Sequence, residues 1–331
     1  GEMMKNFYKK LVCYLISLIA LCVLIFVGVI QLLPAQFDQT YQAALNDKYE
    51  YLLSASSPKV IFISGSSGGI GINSMLAERE LGVPFVNLAL HASFGMKLET
   101  EMAKANLNSG DLVILAYEYD NWKNVSVFDP ELVMTAFDQK LSMYRYISPE
   151  HYWRILQYFP KFMLTKLDSI LFQPYTVNTG WIYCRDAFDK KGNVVFPRPN
   201  SELPAPVEGD GIWDKLSLDF REIDPAAIEY VNQFIEYAEK QGAKVAVSFP
   251  GILKERIDEN EISSYESYLQ EHLNAPVISK ITDYLFEPEL IYDTSYHLTD
   301  EGTRLRTEQL VQDIRNCLMY EEAYTQKGGA R

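Results

Sequence analysis

Apolar residues are distributed along this chain in three different ways. The first is a single unbroken run. Leu11–Ile30 is twenty residues without a charge, softened only by Ser17 and Gly28 and extended by Gln31–Leu33. A helix of that length covers about 30 Å, the depth of a bilayer's hydrocarbon core. Lys5, Lys9 and Lys10 precede the run, and the first acid after it is Asp38. Lysines on one side alone predict a cytoplasmic N-terminus and a globular part outside the cell membrane. A cleaved signal peptide is the competing reading. Its apolar part would be roughly 7–15 residues long and end at a small-residue cleavage site, which Pro34-Ala35-Gln36 matches poorly. The pattern therefore predicts a cytoplasmic tip and single-pass anchor over 1–37.

The second distribution alternates short apolar runs with amphipathic stretches. Lys59–Ser64 (KVIFIS), Pro84–Leu90 (PFVNLAL), Leu112–Tyr117 (LVILAY) and Ala243–Phe249 (AKVAVSF) read as buried strands, with Pro276–Ser279 as a short fifth. Between them Ile72–Leu81, Lys97–Leu107 and Tyr265–Leu273 read as helices. Asp224-Pro225 supplies a cap and a first-turn proline for a helix ending at Lys240, before Gly242. Thr299 opens a last helix that carries Thr307, Leu310, Val311, Ile314, Cys317 and Leu318 on one face. Such alternation predicts an α/β fold with a parallel sheet covered by helices, here over 38–325.

The third distribution, about 121–221, has no such alternation. It contains Trp122, Trp153, Trp181 and Trp213 and many tyrosines. Asp189–Asn193 (DKKGN) reads as a turn between Tyr183–Phe188 and Val194–Phe196. An insertion of this kind can cap the sheet and shape a pocket, or form an irregular helical subdomain with no part in binding.

Composition removes some function classes. The net charge of -14 over 331 residues argues against a nucleic-acid partner. The four cysteines form no CxxC or Cys/His cluster, so a zinc site is not expected. Cys184 and Cys317 can pair outside a cell, although two lone cysteines fit buried thiols better.

Two segments carry candidate chemistry. Ser64-Gly65-Ser66-Ser67-Gly68-Gly69-Ile70-Gly71 follows the first strand. A glycine-rich turn there can cradle phosphate on backbone amides. It can equally expose a serine hydroxyl beside amides that stabilise an oxyanion, or simply be a tight turn. Asp293-Thr294-Ser295-Tyr296-His297 precedes the last helix. A carboxylate four residues before an imidazole can orient it to take a proton from a serine; the plainer reading is a surface loop. His91 directly follows the second strand, and Glu118 and Asp120 end the third, where functional groups of α/β sheets gather.

On these residues the chain resembles the SGNH (GDSL-like) hydrolase superfamily. Gly65-Ser66-Ser67 stands at that family's Gly-Asp-Ser block and Asp293 to His297 at its Asp-x-x-His block, one residue longer. Serine in place of aspartate is similar to the membrane-anchored branch typified by DltD, the protein of teichoic-acid D-alanylation. The resemblance covers about Lys59 to Leu318. It implies a flavodoxin-like three-layer sandwich, with Ser67 as nucleophile (Ser66 being the neighbouring choice), His297 as base and Asp293 as orienting acid. Gly68 and the Ala92–Gly95 loop would supply the oxyanion hole. The family's Gly-x-Asn-Asp block is replaced by Ala116-Tyr117-Glu118-Tyr119-Asp120-Asn121, where Asn121 would substitute through a displaced loop and Glu118 or Asp120 would bind an acceptor amine or hydroxyl, or cap a turn. These departures point to an acyltransferase-like branch or to a binding module without catalysis, rather than to an ordinary esterase. The resemblance further implies a cell-envelope glycan, teichoic acid or lipid as acyl donor or acceptor, a multipass membrane acyltransferase as partner, and no cofactor.

A second resemblance competes. Ser64-Gly65-x-x-x-Gly69-Ile70-Gly71 is similar to the cofactor turn of short-chain dehydrogenases, and Tyr119-x-x-x-Lys123 to their Tyr-x-x-x-Lys pair. That family would imply NAD(P). Here the tyrosine follows too soon, no acid or arginine ends the second strand to hold a ribose, and Asp293 and His297 are left without a role.

Overall fold

Helix α1 (Glu2–Val27) continues through a π-helical turn, Gly28–Leu32. It is long and apolar enough to span a membrane. The structure is a computed structural model that describes residues 2–207 and 209–328, with side chains through 318. The far end of α1 is built into the folded part of the chain. Val29 and Ile30 are buried. The Gln139 amide donates to the Ile30 carbonyl at 3.0 Å, and its side chain to Leu33 O at 2.7 Å.

Four parallel strands form the sheet: β1 (Val60–Ser64), β2 (Phe85–Asn87), β3 (Leu112–Ala116) and β4 (Lys244–Val247), in the order β2-β1-β3-β4. Every residue of β1 and β3 is buried, as both faces of the sheet are covered. Alternate side chains serve opposite faces. Val60, Phe62, Ile114 and Ala246 pack with α4 (Ser74–Leu81) and α11 (Asp300–Gly328). Ile61, Ile63, Val113 and Leu115 face α2 (Ala44–Ser54), α5 (Gly95–Ala103), α9 (Pro225–Lys240) and α10 (Glu259–His272). The chain is thus α/β with helices on both faces of a parallel sheet.

Local signals place most elements. Asp224 accepts from the Ala226 amide and Pro225 fills the first turn of α9. Asn73 caps α4, and Gly82 ends it at φ 71. The second strand is shorter than its apolar run because the Asn87 side chain turns the chain, accepting from Ala89 N and donating to Gly68 O, both at 3.0 Å. The expected fifth strand is reduced to one parallel bridge, Val247 to Val277. A separate two-stranded sheet, β5 (Ile252–Leu253) with β6 (Leu285–Phe286), was not anticipated. On α11, Thr307, Leu310, Val311 and Ile314 are buried as expected, whereas Leu318 is exposed.

Among its described residues the segment of about 121–221 carries three α-helices, α6 (Tyr119–Lys123), which begins just before it, α7 (Pro130–Ala136) and the long α8 (Tyr152–Leu171), besides short 3-10 turns. The turn at Asp189 forms, its carboxylate accepting from Lys191 N and Asn193 N at 2.8 and 2.9 Å. Its arms are not strands. They meet in a single bridge, Phe188 to Val194, because Arg185–Ala187 coils into a 3-10 turn. Cys184 is a buried thiol beside the Trp181 carbonyl.

Candidate active site at the carboxyl edge of the sheet

The glycine-rich segment leaves β1 and immediately winds into α3 (Ser66–Gly71). Its glycines answer close packing. A Cβ on Gly68 would stand 2.6 Å from the Phe62 ring, one on Gly69 2.9 Å from Ala89 O, and one on Gly71 2.8 Å from an Arg306 nitrogen. Arg306 reaches from α11, is fully buried, and donates to the Ser67 carbonyl. Burial lowers its guanidinium to about 10.

Successive residues at the start of a helix diverge by about 100°, and the two serines accordingly face different ways. Ser67 is fully buried, with its hydroxyl 3.0 Å from that of Ser64. Ser66 is partly exposed, with Oγ 3.4 Å from Glu118 Oε1. The same carboxylate oxygen accepts the Ser67 amide at 2.8 Å. Glu118 is buried, and burial raises its pKa, offset in part by the Ser67 amide and the nearby His297 and Arg306. Its Oε2 has no hydrogen-bond partner among the described residues. Gly65 is required here, because a Cβ would come 2.6 Å from Glu118 Oε1 and 2.8 Å from Ala92 N. The Ser67 and Ala92 amides and the Glu118 carboxyl therefore converge beside Ser66.

The acid and histidine meet as their spacing predicts. His297 Nδ1 lies 2.7 Å from Asp293 Oδ1. Burial would raise the Asp293 carboxyl, but bonds from His297 and Tyr183 outweigh it and hold the pKa below its usual value. With Nδ1 engaged, Nε2 is left without a hydrogen-bond partner among the described residues. Neither serine is hydrogen-bonded to His297.

Other candidates hold the site in shape. Asn121 donates from Nδ2 to Ala92 O at 3.1 Å and so fixes the Ala92 loop. Gly95, at φ 79, lets that loop pass Val127, whose carbonyl would stand 1.9 Å from a Cβ. The Gly68 amide donates to Gly65 O at 3.1 Å. Asp120 faces solvent.

Tyr183 was not anticipated. Its hydroxyl donates to Asp293 Oδ2 at 2.6 Å and lies 3.1 Å from His297 Nδ1. It also lines a cavity of about 330 Å³ with Tyr41, His91, Tyr175 and Trp181. The Tyr41 hydroxyl donates to Leu90 O, and burial lowers the pKa of His91. The insertion therefore contributes both a wall of this cavity and a hydrogen bond to the acid–histidine pair.

Tyr119 and Lys123 lie apart from these groups: the Tyr119 ring is buried edge-on to Tyr265, and Lys123 pairs with Glu222 at 2.7 Å. Compared with protein-family models, curated proteins and solved structures, the chain finds no match.

Proposed function

We propose that this chain is a membrane-anchored acyl-transfer protein of the SGNH type, with its α/β part outside the cell and its N-terminus in the cytoplasm. The observation that carries the proposal is the Asp293–His297 pair at 2.7 Å, whose imidazole lies within electrostatic range of the Glu118 carboxyl that meets the partly exposed Ser66. Strand order supports it. The order β2-β1-β3-β4, with the Val277 bridge outside β4, is compatible with a flavodoxin-like sheet. A dinucleotide-binding sheet puts its third strand outside the second, so the order argues against the dehydrogenase reading.

The chemistry follows from the geometry. Attack requires a hydroxyl that a substrate can reach, which favours Ser66 over the buried Ser67. His297 Nε2 takes the Ser66 proton as Oγ attacks an ester or thioester carbonyl. The Ala92 and Ser67 amides stabilise the oxyanion. Burial raises the Glu118 pKa, and in its neutral form this carboxyl would add an Oε2–H donor, in the place where the family has an asparagine amide. Collapse expels the leaving group, which takes the proton from His297. Water or an acceptor hydroxyl then repeats the sequence on the acyl-serine. The aromatic lining at Tyr41, Tyr175, Trp181 and Tyr183 suits a sugar ring or an acyl chain, in keeping with an envelope glycan, teichoic acid or lipid substrate. A multipass acyltransferase is the proposed donor-side partner.

One observation favours a second reading. The Ser67 amide is already bonded to Glu118 and no serine is bonded to His297, as expected of a binding module that assists another enzyme. Hydrogen bonds of this kind often tighten only when substrate binds. The test is fluorophosphonate labelling of the full chain in lipid nanodiscs, mapped by mass spectrometry. An adduct on Ser66 that is lost in His297→Ala supports acyl transfer. No adduct in a folded chain favours the binding module.

A further inference from the structure

Helix α8 presents its hydrophobic residues to the outside. Trp153, Leu156, Pro160, Leu164, Leu167 and Leu171 follow one another at intervals of three or four residues. At 3.6 residues per turn they occupy a stripe about 80° wide. Trp153 is 66% exposed, Leu156 55%, Leu164 63% and Leu171 66%, and Phe172 just beyond is 80% exposed. The opposite face holds a buried ion pair, Lys166 with Asp138, beside Phe162 and Ile155. A surface helix in water buries its apolar stripe and exposes its charges; α8 buries Ile155 and Phe162 in that way, but it leaves a second apolar stripe exposed and buries Lys166. An exposed apolar stripe of this extent marks an interaction surface.

The end of α1 indicates what covers the stripe. Phe26 packs against Phe159 at 4.9 Å with the rings tilted by 46° and meets Tyr144 edge-on at 5.4 Å. If Leu11–Ile30 spans the bilayer, Phe26 lies about 6 Å inside the point where the span emerges. The middle of α8 is therefore held at the outer edge of the hydrocarbon layer. Phe159 and Met163 border the stripe on the side of α1, so the apolar surface runs without interruption from the span onto α8. Tyr152 and Trp153, at the start of α8, are exposed, the residue types that gather at headgroup depth. On the far side of the stripe Arg154 is exposed, as are Lys161, paired with Glu131 at 3.1 Å, and Asp168. Pro160 cannot bond back to the Leu156 carbonyl, and at this shallow depth headgroup water can do so.

We propose that α8 is an interfacial helix whose Trp153–Leu171 stripe lies in the outer leaflet, giving the protein a second membrane contact beside its span. The inference rests on the reading of α1 as a span.

The test uses the full chain in phosphatidylcholine vesicles, with and without brominated acyl chains. The emission of Trp153 is taken as the difference between the native chain and Trp153→Phe. The expected result is blue-shifted Trp153 emission, quenched by brominated lipid and shielded from aqueous acrylamide. In Leu156→Glu/Leu164→Glu, which changes exposed positions only, that quenching is lost while the chain still floats with the vesicles. A Trp153 open to acrylamide and indifferent to bromine overturns the inference and leaves the span intact. A Trp153 shielded from both also overturns it and assigns the stripe to a protein, either a second copy or a partner. A chain that does not float overturns the span and this inference together.

Discussion

The Tyr183 hydroxyl stands 3.1 Å from His297 Nδ1, across 114 residues of sequence, and both groups bond to Asp293. The tyrosine belongs to the insertion, the histidine to the loop before α11. The carboxylate between them uses one oxygen for each, which fixes its plane and so the tilt of the imidazole.

Asp293 and Tyr183 should therefore differ in weight. Asp293→Asn leaves the shape but removes the charge that orients His297, and the rate of fluorophosphonate labelling should fall by roughly 10³–10⁴-fold, as when a serine triad loses its acid. Tyr183→Phe keeps the ring and removes one hydrogen bond to a charged group, worth about 1.5–3 kcal/mol. Its rate should fall by roughly ten- to a hundredfold. Equal losses in the two variants would mean that Tyr183 is a full partner in the chemistry.

Ser66→Ala should abolish labelling. Ser67→Ala should retain most of it, since the Ser67 hydroxyl meets only Ser64 at 3.0 Å and its backbone amide survives the change. Adducts mapped on Ser67 in the native chain would reverse this assignment and require the α3 turn to rotate on binding.

Glu118 sets a pH dependence. Burial raises its pKa above the ordinary 4.5, so the neutral carboxyl persists into a higher pH range in the folded chain. A donor role is then lost as pH rises through the folded value. The stability contributed by neutral Glu118 changes in the same sense: complete below about 4.5, and lost as pH rises through the raised value. Glu118→Gln is neutral at every pH, so a pH–rate profile should keep its activity and lose this fall with rising pH. Glu118→Ala should lose activity at every pH. Full activity in the alanine variant would remove Glu118 from the mechanism.

The ion pair beneath α8 is a stability test. Lys166→Met leaves Asp138 buried and unpaired and should cost about 3–5 kcal/mol. Adding Asp138→Asn should recover part of that, because no buried charge then lacks a partner. Denaturant unfolding of the two variants gives the comparison.

The sequence was most readable where one residue decides one local feature. Asp224-Pro225 starts α9, Gly82 ends α4, and the spacing of Asp293 and His297 puts the two in contact. The runs of β1 and β3 were visible because both faces are buried and no polar position interrupts them. Tyr183 was hidden because its role depends on a fold-back over 110 residues to Asp293. The choice between Ser66 and Ser67 was hidden because adjacent helical residues differ only in the direction they face. Helix α8 was missed for another reason. It is apolar on its outer stripe and carries Lys166 on its inner face, and the insertion's prolines and aromatics mask its period.

The join between α1 and the domain leaves no slack. Gln139 is bonded to both Ile30 and Leu33, and Val29 and Ile30 are core residues. If α1 spans a membrane, a flexible tether would let the α/β part sweep a hemisphere above it. A stem rooted in the core holds its head at one height and one tilt, and the molecule can vary only its position in the plane of the membrane and its rotation about the stem. A site mounted in this way searches in two dimensions, and its encounter rate is set by lateral drift among whatever else is confined to that surface.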